Sequence, residues 1–340
     1  MGVVVPIENA LATGSRASIK PLMELTRPEM DRVNALILSK AGSNVALIPE
    51  IARHLVNSGG KRLRPMLTCA AATLFGYEGE GHIKLACAVE FMHTATLLHD
   101  DVVDESDLRR TSPTARKIWG NQASVLVGDF LLGQAFRMMV DVGIMDALDV
   151  LSSSSAVIAE GEVHQLSVAK RMDTTESDYL EVIDAKTAAL FAAACEVGPI
   201  VAGCGREERD ALRDYGRYLG LAFQLIDDAL DYGGSSAALG KNTGDDFREG
   251  KITLPVILAH RRGTPTEREF WRDAMERGKN DNAALIRAKE LIAKHGTVGD
   301  TIERARHYGG MARDALAPVP DGPHKSALLE AVDYCITRAT

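Results

Sequence analysis

The sequence predicts an all-α protein, a single large antiparallel helical bundle around a central cavity, and three observations carry that reading. Apolar residues recur at steps of three and four along most of the chain, the spacing of one helix face. Alternating runs of useful strand length are absent from it. Breakers such as Gly59-Gly60, Ser112-Pro113, Gly198-Pro199 and the stretch from Pro318 to Pro323 fall between the periodic segments. The 340 residues allow one large domain or two, and neither a low-complexity linker nor a repeat of fixed period divides them. With 46% apolar and 25% charged residues, the chain can bury a sizeable core.

In chain order, residues 1–20 are expected to be a flexible N-terminus, with the single domain over 21–340. The opening MGVVVPIENA lacks a basic n-region and a long apolar run, so it does not read as a signal peptide. Helical patterns cover roughly 28–57 and 66–75, separated by the basic stretch SGGKRLRPML at 58–67. The next face runs Leu85, Val89, Met92, Thr96 and Asp100. Further patterns cover 122–141, 146–168 and 176–204. A second long face runs through Leu212, Leu219, Phe223 and Ile226 to Leu230. YGGSSAALGKNTGDDFREGK at 232–251 is the longest Gly-rich, charged loop, and patterns at 283–294, 298–315 and 323–338 end the chain. No stretch approaches the ~18 apolar residues of a membrane span. The five cysteines are scattered, odd in number and show no CxxC, so they read as small core residues in a reducing, cytoplasmic compartment. The net charge of −8 argues against a nucleic-acid partner.

Acid collects where it should not. Asp100, Asp101 and Asp104 close one apolar helix, and Asp227, Asp228 and Asp231 close another. Residues four apart share a helix face, ~5–6 Å from each other. Acid opposes the dipole at a helix C-terminus, and like charges repel at that spacing. One such cluster is as readily a solvated helix end as a site. Two matched clusters that break the same local rules point to function. Carboxylate oxygens are hard ligands suited to Mg²⁺, which bridges to phosphate, so facing acid walls would hold a diphosphate through metal. The EF-hand alternative fails for want of its Gly and distal Glu at loop spacing.

Basic residues supply the complement. Lys61, Arg62 and Arg64 precede a helix whose N-terminus favours anions, with Pro65 in its first turn. Alone this reads as an exposed basic loop. With Arg109, Arg110, Lys186, Thr187, Lys241 and Lys251 it suggests a second diphosphate held without metal.

GKRLRP, LLHDDVVDESDLRR, GDF, AEGE, KTAALF, FQLIDDALDY and GKNTGDDFREGKITLP, in that order over about residues 55 to 260, resemble the trans-polyprenyl diphosphate synthase family, and within it the bacterial long-chain synthases of quinone side chains. Thr111 departs from the Gly common in that family after the arginine pair. The resemblance implies the isoprenoid synthase fold, a homodimer, and about three Mg²⁺ per active site. It implies that Asp100 and Asp104 ligate metal on an allylic diphosphate (farnesyl or geranylgeranyl) with Asp101 in support, and that Asp227, Asp228 and Asp231 do so from the opposite wall. Lys61, Arg64, His93 and Arg110 would bind isopentenyl diphosphate, while Arg109, Lys186, Thr187, Gln224 and Lys241 would contact the allylic substrate. His99 reads as structural.

The implied reaction ionises the allylic C–O bond, adds the isopentenyl double bond to the cation, and loses a proton to the departing diphosphate. Water must be excluded, and the loop 232–251 reads as a lid. A class I terpene cyclase is the remote alternative, disfavoured because the second motif is aspartate-rich and GKRLRP is present. A non-catalytic subunit should lack an aspartate motif, and both are kept. Product length is the open choice, long-chain or geranylgeranyl. A chain growing antiparallel to the Asp100 helix meets Thr96 and Ala95 about 6–8 Å down and Met92 about 12 Å down. Short-chain relatives carry a bulky aromatic in the upper layer. Here that layer is open, and Phe136 is expected as the deep floor.

Overall fold

The computed structural model describes residues 17–57, 60–109, 112–233 and 243–338. Of the segment expected to be a flexible terminus, residues 17–20 are described, and there Ile19 is already buried in the same core cluster as Leu22. Helices α1 (Lys20–Leu25) and α2 (Arg27–Lys40) meet at Thr26, whose hydroxyl donates to the Leu22 carbonyl at 2.8 Å. The single helix expected over 28–57 is in fact two, because α3 (Leu47–Asn57) starts only after a turn. Gly42 weakens the helix there. The Ser43 hydroxyl accepts the Val45 N–H at 3.1 Å, a local bond that competes with helical pairing.

The basic loop leads into α4 (Leu63–Thr73), buried from Pro65 to Ala72. Next comes α5 (Gly81–Val103), then a hairpin of β1 (Leu108–Arg109) and β2 (Ser112–Pro113) paired antiparallel. After α6 (Ala115–Trp119) come two long helices, α7 (Asn121–Val142) and α8 (Met145–Val168). α9 (Glu176–Ile183), a π-helical segment Asp184–Ala188 and α10 (Ala189–Val201) then run on without interruption. The expected break at Gly198-Pro199 does not occur, since both residues are buried inside α10. A Cβ on Gly198 would lie 2.5 Å from the Ala71 Cβ, so this glycine serves close packing of α10 on α4, not a turn. α11 (Arg206–Gly233) carries the second acid cluster.

Four of these helices close a ring. α5 packs on α7 and on α10, and α8 packs on the same two from the opposite side. Leu85, Met92, Ala95, Leu131, Leu151, Ile158 and Val197 share one apolar cluster within it. On the other face of α10, α4 and α11 pack with it round Phe191 and Tyr215. Helices Leu254–Arg262, Pro265–Met275 and Asn282–His295, which the periodicity left partly unassigned, gather round Trp271 and Phe247. Among the described residues, α7 alone is long and apolar enough to cross a membrane by length and composition. It carries Asp129, Arg137 and Asp141 and lies in the ring with Val127, Leu131 and Ala135 buried. All five cysteines are free, and all but Cys204 are buried.

Candidate active site

The last turn of α5 turns its three aspartates to different partners. Asp101 is buried, and its Oδ1 accepts from Arg109 Nε at 3.1 Å and Nη2 at 2.9 Å. The reversal of charge after the cluster therefore has a structural reason: the hairpin carries Arg109 back to neutralise Asp101. The other oxygen, Oδ2, is buried without a partner. Asp104 caps the helix and accepts from Lys251 Nζ at 2.9 Å, while Lys251 also pairs with Glu249 at 2.7 Å. Asp100 lies 3.8 Å from Lys186 Nζ, and that ammonium is held by Glu162 at 2.8 Å. Burial pushes the Asp100 carboxyl up to about 6, against the pull of Lys186 and with help from Glu162 and Asp104.

Lys186 reaches this point because of local geometry. It sits in the π-helical segment, a conformation frequent at functional sites. Gly161 on α8 lies directly against that segment, and a Cβ there would come 2.6 Å from the Ala185 Cβ. The absent side chain lets α8 approach, which brings Glu162 onto Lys186 across the ring from Asp100.

The second cluster stands on the last turns of α11. Asp228 is buried, and both its oxygens are engaged: Tyr179 OH donates to Oδ2 at 2.6 Å and Gln224 Nε2 to Oδ1 at 2.7 Å. Thr187 Oγ1 donates in turn to Gln224 Oε1 at 3.0 Å. Burial raises the Asp228 carboxyl to about 7, with those two donors pulling it down. Asp231 accepts the backbone N–H groups of Asp245 and Asp246, both at 3.2 Å. Asp227 is more open and pairs with Arg338 at 3.0 Å. Asp246 is held well above the usual carboxylate range by burial and by the nearby Asp228 and Asp231.

A basic wall adjoins Asp227, and each of its cations rests on a ring. Lys61 Nζ lies 4.4 Å over Tyr334, the Arg64 guanidinium 4.2 Å over Phe191, and that of Arg338 4.1 Å over Phe223. Arg64 also reaches His93 Nε2 at 3.3 Å, and burial lowers its guanidinium to about 10. His99 contacts the Val125 carbonyl at 3.2 Å and Asp129 at 3.4 Å. Arg110, Thr111, Gly59, Lys241 and the stretch 234–242 of the expected lid lie outside the described residues.

The structure thus links Thr187, Gln224 and Asp228 by hydrogen bonds and sets Lys186, beside Thr187, against Asp100, while Asp227 and Asp231 have partners of their own. Sequence reasoning missed Glu162, Tyr179 and Arg338. Glu162 lies in the AEGE motif with no role given to it, and a lone tyrosine or a late arginine carries no spacing signal. Among the described residues, no three carboxylate, imidazole or thiol groups converge on one point as a ready ion site. Mg²⁺ usually takes one or two carboxylates and completes its shell with water and substrate phosphate, so the donor set fits that ion.

The polyprenyl synthetase family model matches residues 45–292. The octaprenyl diphosphate synthase of Escherichia coli is 47% identical over 321 residues, 94% of this chain and 99% of its own length. A Caulobacter crescentus polyprenyl synthase, solved with calcium and isoprenyl diphosphate, superposes with a TM-score of 0.93 at 50% identity over 96% of this chain and all of its own. A decaprenyl diphosphate synthase from Rhodobacter capsulatus does so at 0.91 and 51% identity, over 95% of this chain and 100% of that one. With a family model over residues 45–292 and likeness along nearly its whole length, the chain belongs to the polyprenyl synthetase family.

Proposed function

We propose that the protein is a trans-prenyltransferase that adds isopentenyl diphosphate repeatedly to an allylic diphosphate, farnesyl or geranylgeranyl, giving an all-trans chain of about eight to ten isoprene units for a quinone. The observation that carries this is the four-helix ring with acid at its mouth and small side chains beneath. Ala95 is buried in the ring, and the Thr96 hydroxyl is spent on the His93 carbonyl of its own helix at 2.8 Å. No aromatic closes that layer of α5. Met92 lies a further turn down and is buried, and Phe136 on α7 packs against the same cluster. The octaprenyl and decaprenyl relatives support the long product over the geranylgeranyl alternative.

Asp100 and Asp104 would hold Mg²⁺ on the first wall, and Asp227 and Asp231 on the second with Asp228 behind them. The calcium in the Caulobacter relative supports a divalent ion here. When bound, the metal supplies the positive charge that stabilises a leaving diphosphate. Arg109, Lys186, Thr187, Gln224 and Lys241 orient the allylic diphosphate. Lys61, Arg64, His93 and Arg110 hold isopentenyl diphosphate, so that its double bond lies against the reacting carbon. The proton leaves on the departing diphosphate, and the apolar ring keeps water from the cation. We place the enzyme in the cytoplasm as a homodimer, a reading supported by its free cysteines, all but Cys204 buried, and its apolar helix surface.

Chromatography of the dephosphorylated product tests the reading. Wild type should reach about eight to ten units, and Ala95→Phe or Thr96→Phe should stop at about three or four, one or two helix turns below the aspartates. A wild-type product of about four units, or an unchanged length in both variants, would overturn it.

A further inference from the structure

Asp228 is anchored by two side chains, whereas Asp231 is held by two backbone N–H groups and Asp227 by one arginine. With a side-chain donor on each oxygen and almost no exposure, the Asp228 carboxylate is fixed in orientation and turned from the solvent that Asp227 meets. It lies on α11 between Asp227 and Asp231 in sequence, yet it is 3% exposed, while the Asp227 side chain is 32% exposed. The Tyr179 hydroxyl makes the shorter of its two bonds, at 2.6 Å.

Tyr179 is itself fixed from both sides. The start of α9 is closed by a capping box in which Thr175 and Asp178 satisfy each other's backbone N–H. Its end runs into the π-helical segment that carries Lys186 and Thr187. The ring of Tyr179 is buried with Ile183, Leu225 and Ile226. From this tyrosine, bonds run through Asp228 and Gln224 to Thr187, next in sequence to the lysine that reaches Asp100.

We propose that Tyr179 is a positioning residue for the second acid wall. By holding Asp228 it fixes the rotation of the last turns of α11, and so where Asp227 and Asp231 present their oxygens. Through Gln224 and Thr187 it keeps that wall in register with Lys186 and the first. Groups behind a metal ligand commonly carry a 10–100-fold effect on metal affinity. The proposal rests on reading this site as a Mg²⁺–diphosphate centre.

Tyr179→Phe tests it, since only the hydroxyl is lost and the buried ring stays. Calorimetric titration of Mg²⁺ into the protein with inorganic diphosphate present should show about a tenfold or greater loss of affinity. The melting temperature without metal should change by no more than a few degrees, and the KM for isopentenyl diphosphate should hold. Gln224→Leu, which removes the other donor, should weaken metal in the same direction. Metal affinity unchanged in Tyr179→Phe, or a fall in melting temperature with metal affinity intact, overturns the proposal and leaves the reading of the site standing. If wild type takes up no Mg²⁺ that Asp227→Ala abolishes, the reading of the site fails first and the proposal with it.

Discussion

Asp100 shows how one residue couples acid, metal and stability. Burial holds its carboxyl at about 6 in the folded protein, against about 4 in an unfolded chain. The folded state therefore keeps a proton that the unfolded chain has released across that window, so the metal-free protein loses stability as pH rises from about 4 to 6. Asp228, at about 7, extends the same trend upward. Divalent metal reverses the balance, because it must displace these protons at low pH and meets bare carboxylates at high pH. Thermal melting at pH 5 and 7.5 should show a metal-free midpoint that falls with pH and a Mg²⁺-induced gain that grows. Asp100→Asn should flatten the metal-free slope, and a slope unchanged by that substitution would exclude Asp100 as its source. Both aspartate clusters were legible in the sequence, because they break the rule for charge at helix ends. Their partners Tyr179, Glu162 and Arg338 were not, because they act through bonds between distant segments.

At the level of elements, periodicity located the long amphipathic helices and failed where local chemistry overrides it. The periodicity assigned no helix around Pro255 or Pro265, yet each stands in a first helical turn, where a missing N–H costs nothing. Thr264 and Glu267 form a capping box just where the second of those helices begins. The turn at residues 41–46 was hidden inside a continuous apolar pattern. The π-helical segment has no sequence signature, although it decides where Lys186 stands. Its packing depends on Gly161, so Gly161→Leu should drive Ala185 and Lys186 away from α8. Overpacking of that kind costs roughly 1–3 kcal/mol, and it would also part Lys186 from Glu162. A urea midpoint equal to wild type would show that the two helices are not tightly matched here.

On the scale of the whole molecule, the ring leaves apolar surface on its outer side. Val125, Leu126 and Val140 on α7 are exposed, as are Val157, Val163 and Leu166 on α8. Two adjacent helices bearing such residues suit a helix-on-helix contact between two copies of the chain. Sedimentation at micromolar concentration should give a species of twice 36.6 kDa. Leu126→Glu combined with Leu166→Glu should shift it to the monomer mass. A fully active wild-type monomer would exclude this assembly. The all-α class was legible from period alone, whereas the ring was not, because which helices adjoin is settled by packing choices such as Gly128 of α7 against His99 of α5 that composition does not reveal.

The lysines beside the first acid cluster have one more consequence. Lys186 on Asp100 and Lys251 on Asp104 make the resting centre an ion exchanger in its ammonium form. Part of its acid is already balanced by tethered counterions, which Glu162 and Glu249 share. Loading it is then an exchange and not a filling. A divalent ion held by Asp100 and Asp104 would displace two ammonium groups that cannot diffuse away. The positive charge that would meet a diphosphate there would come from the metal and from the lysines it frees, together.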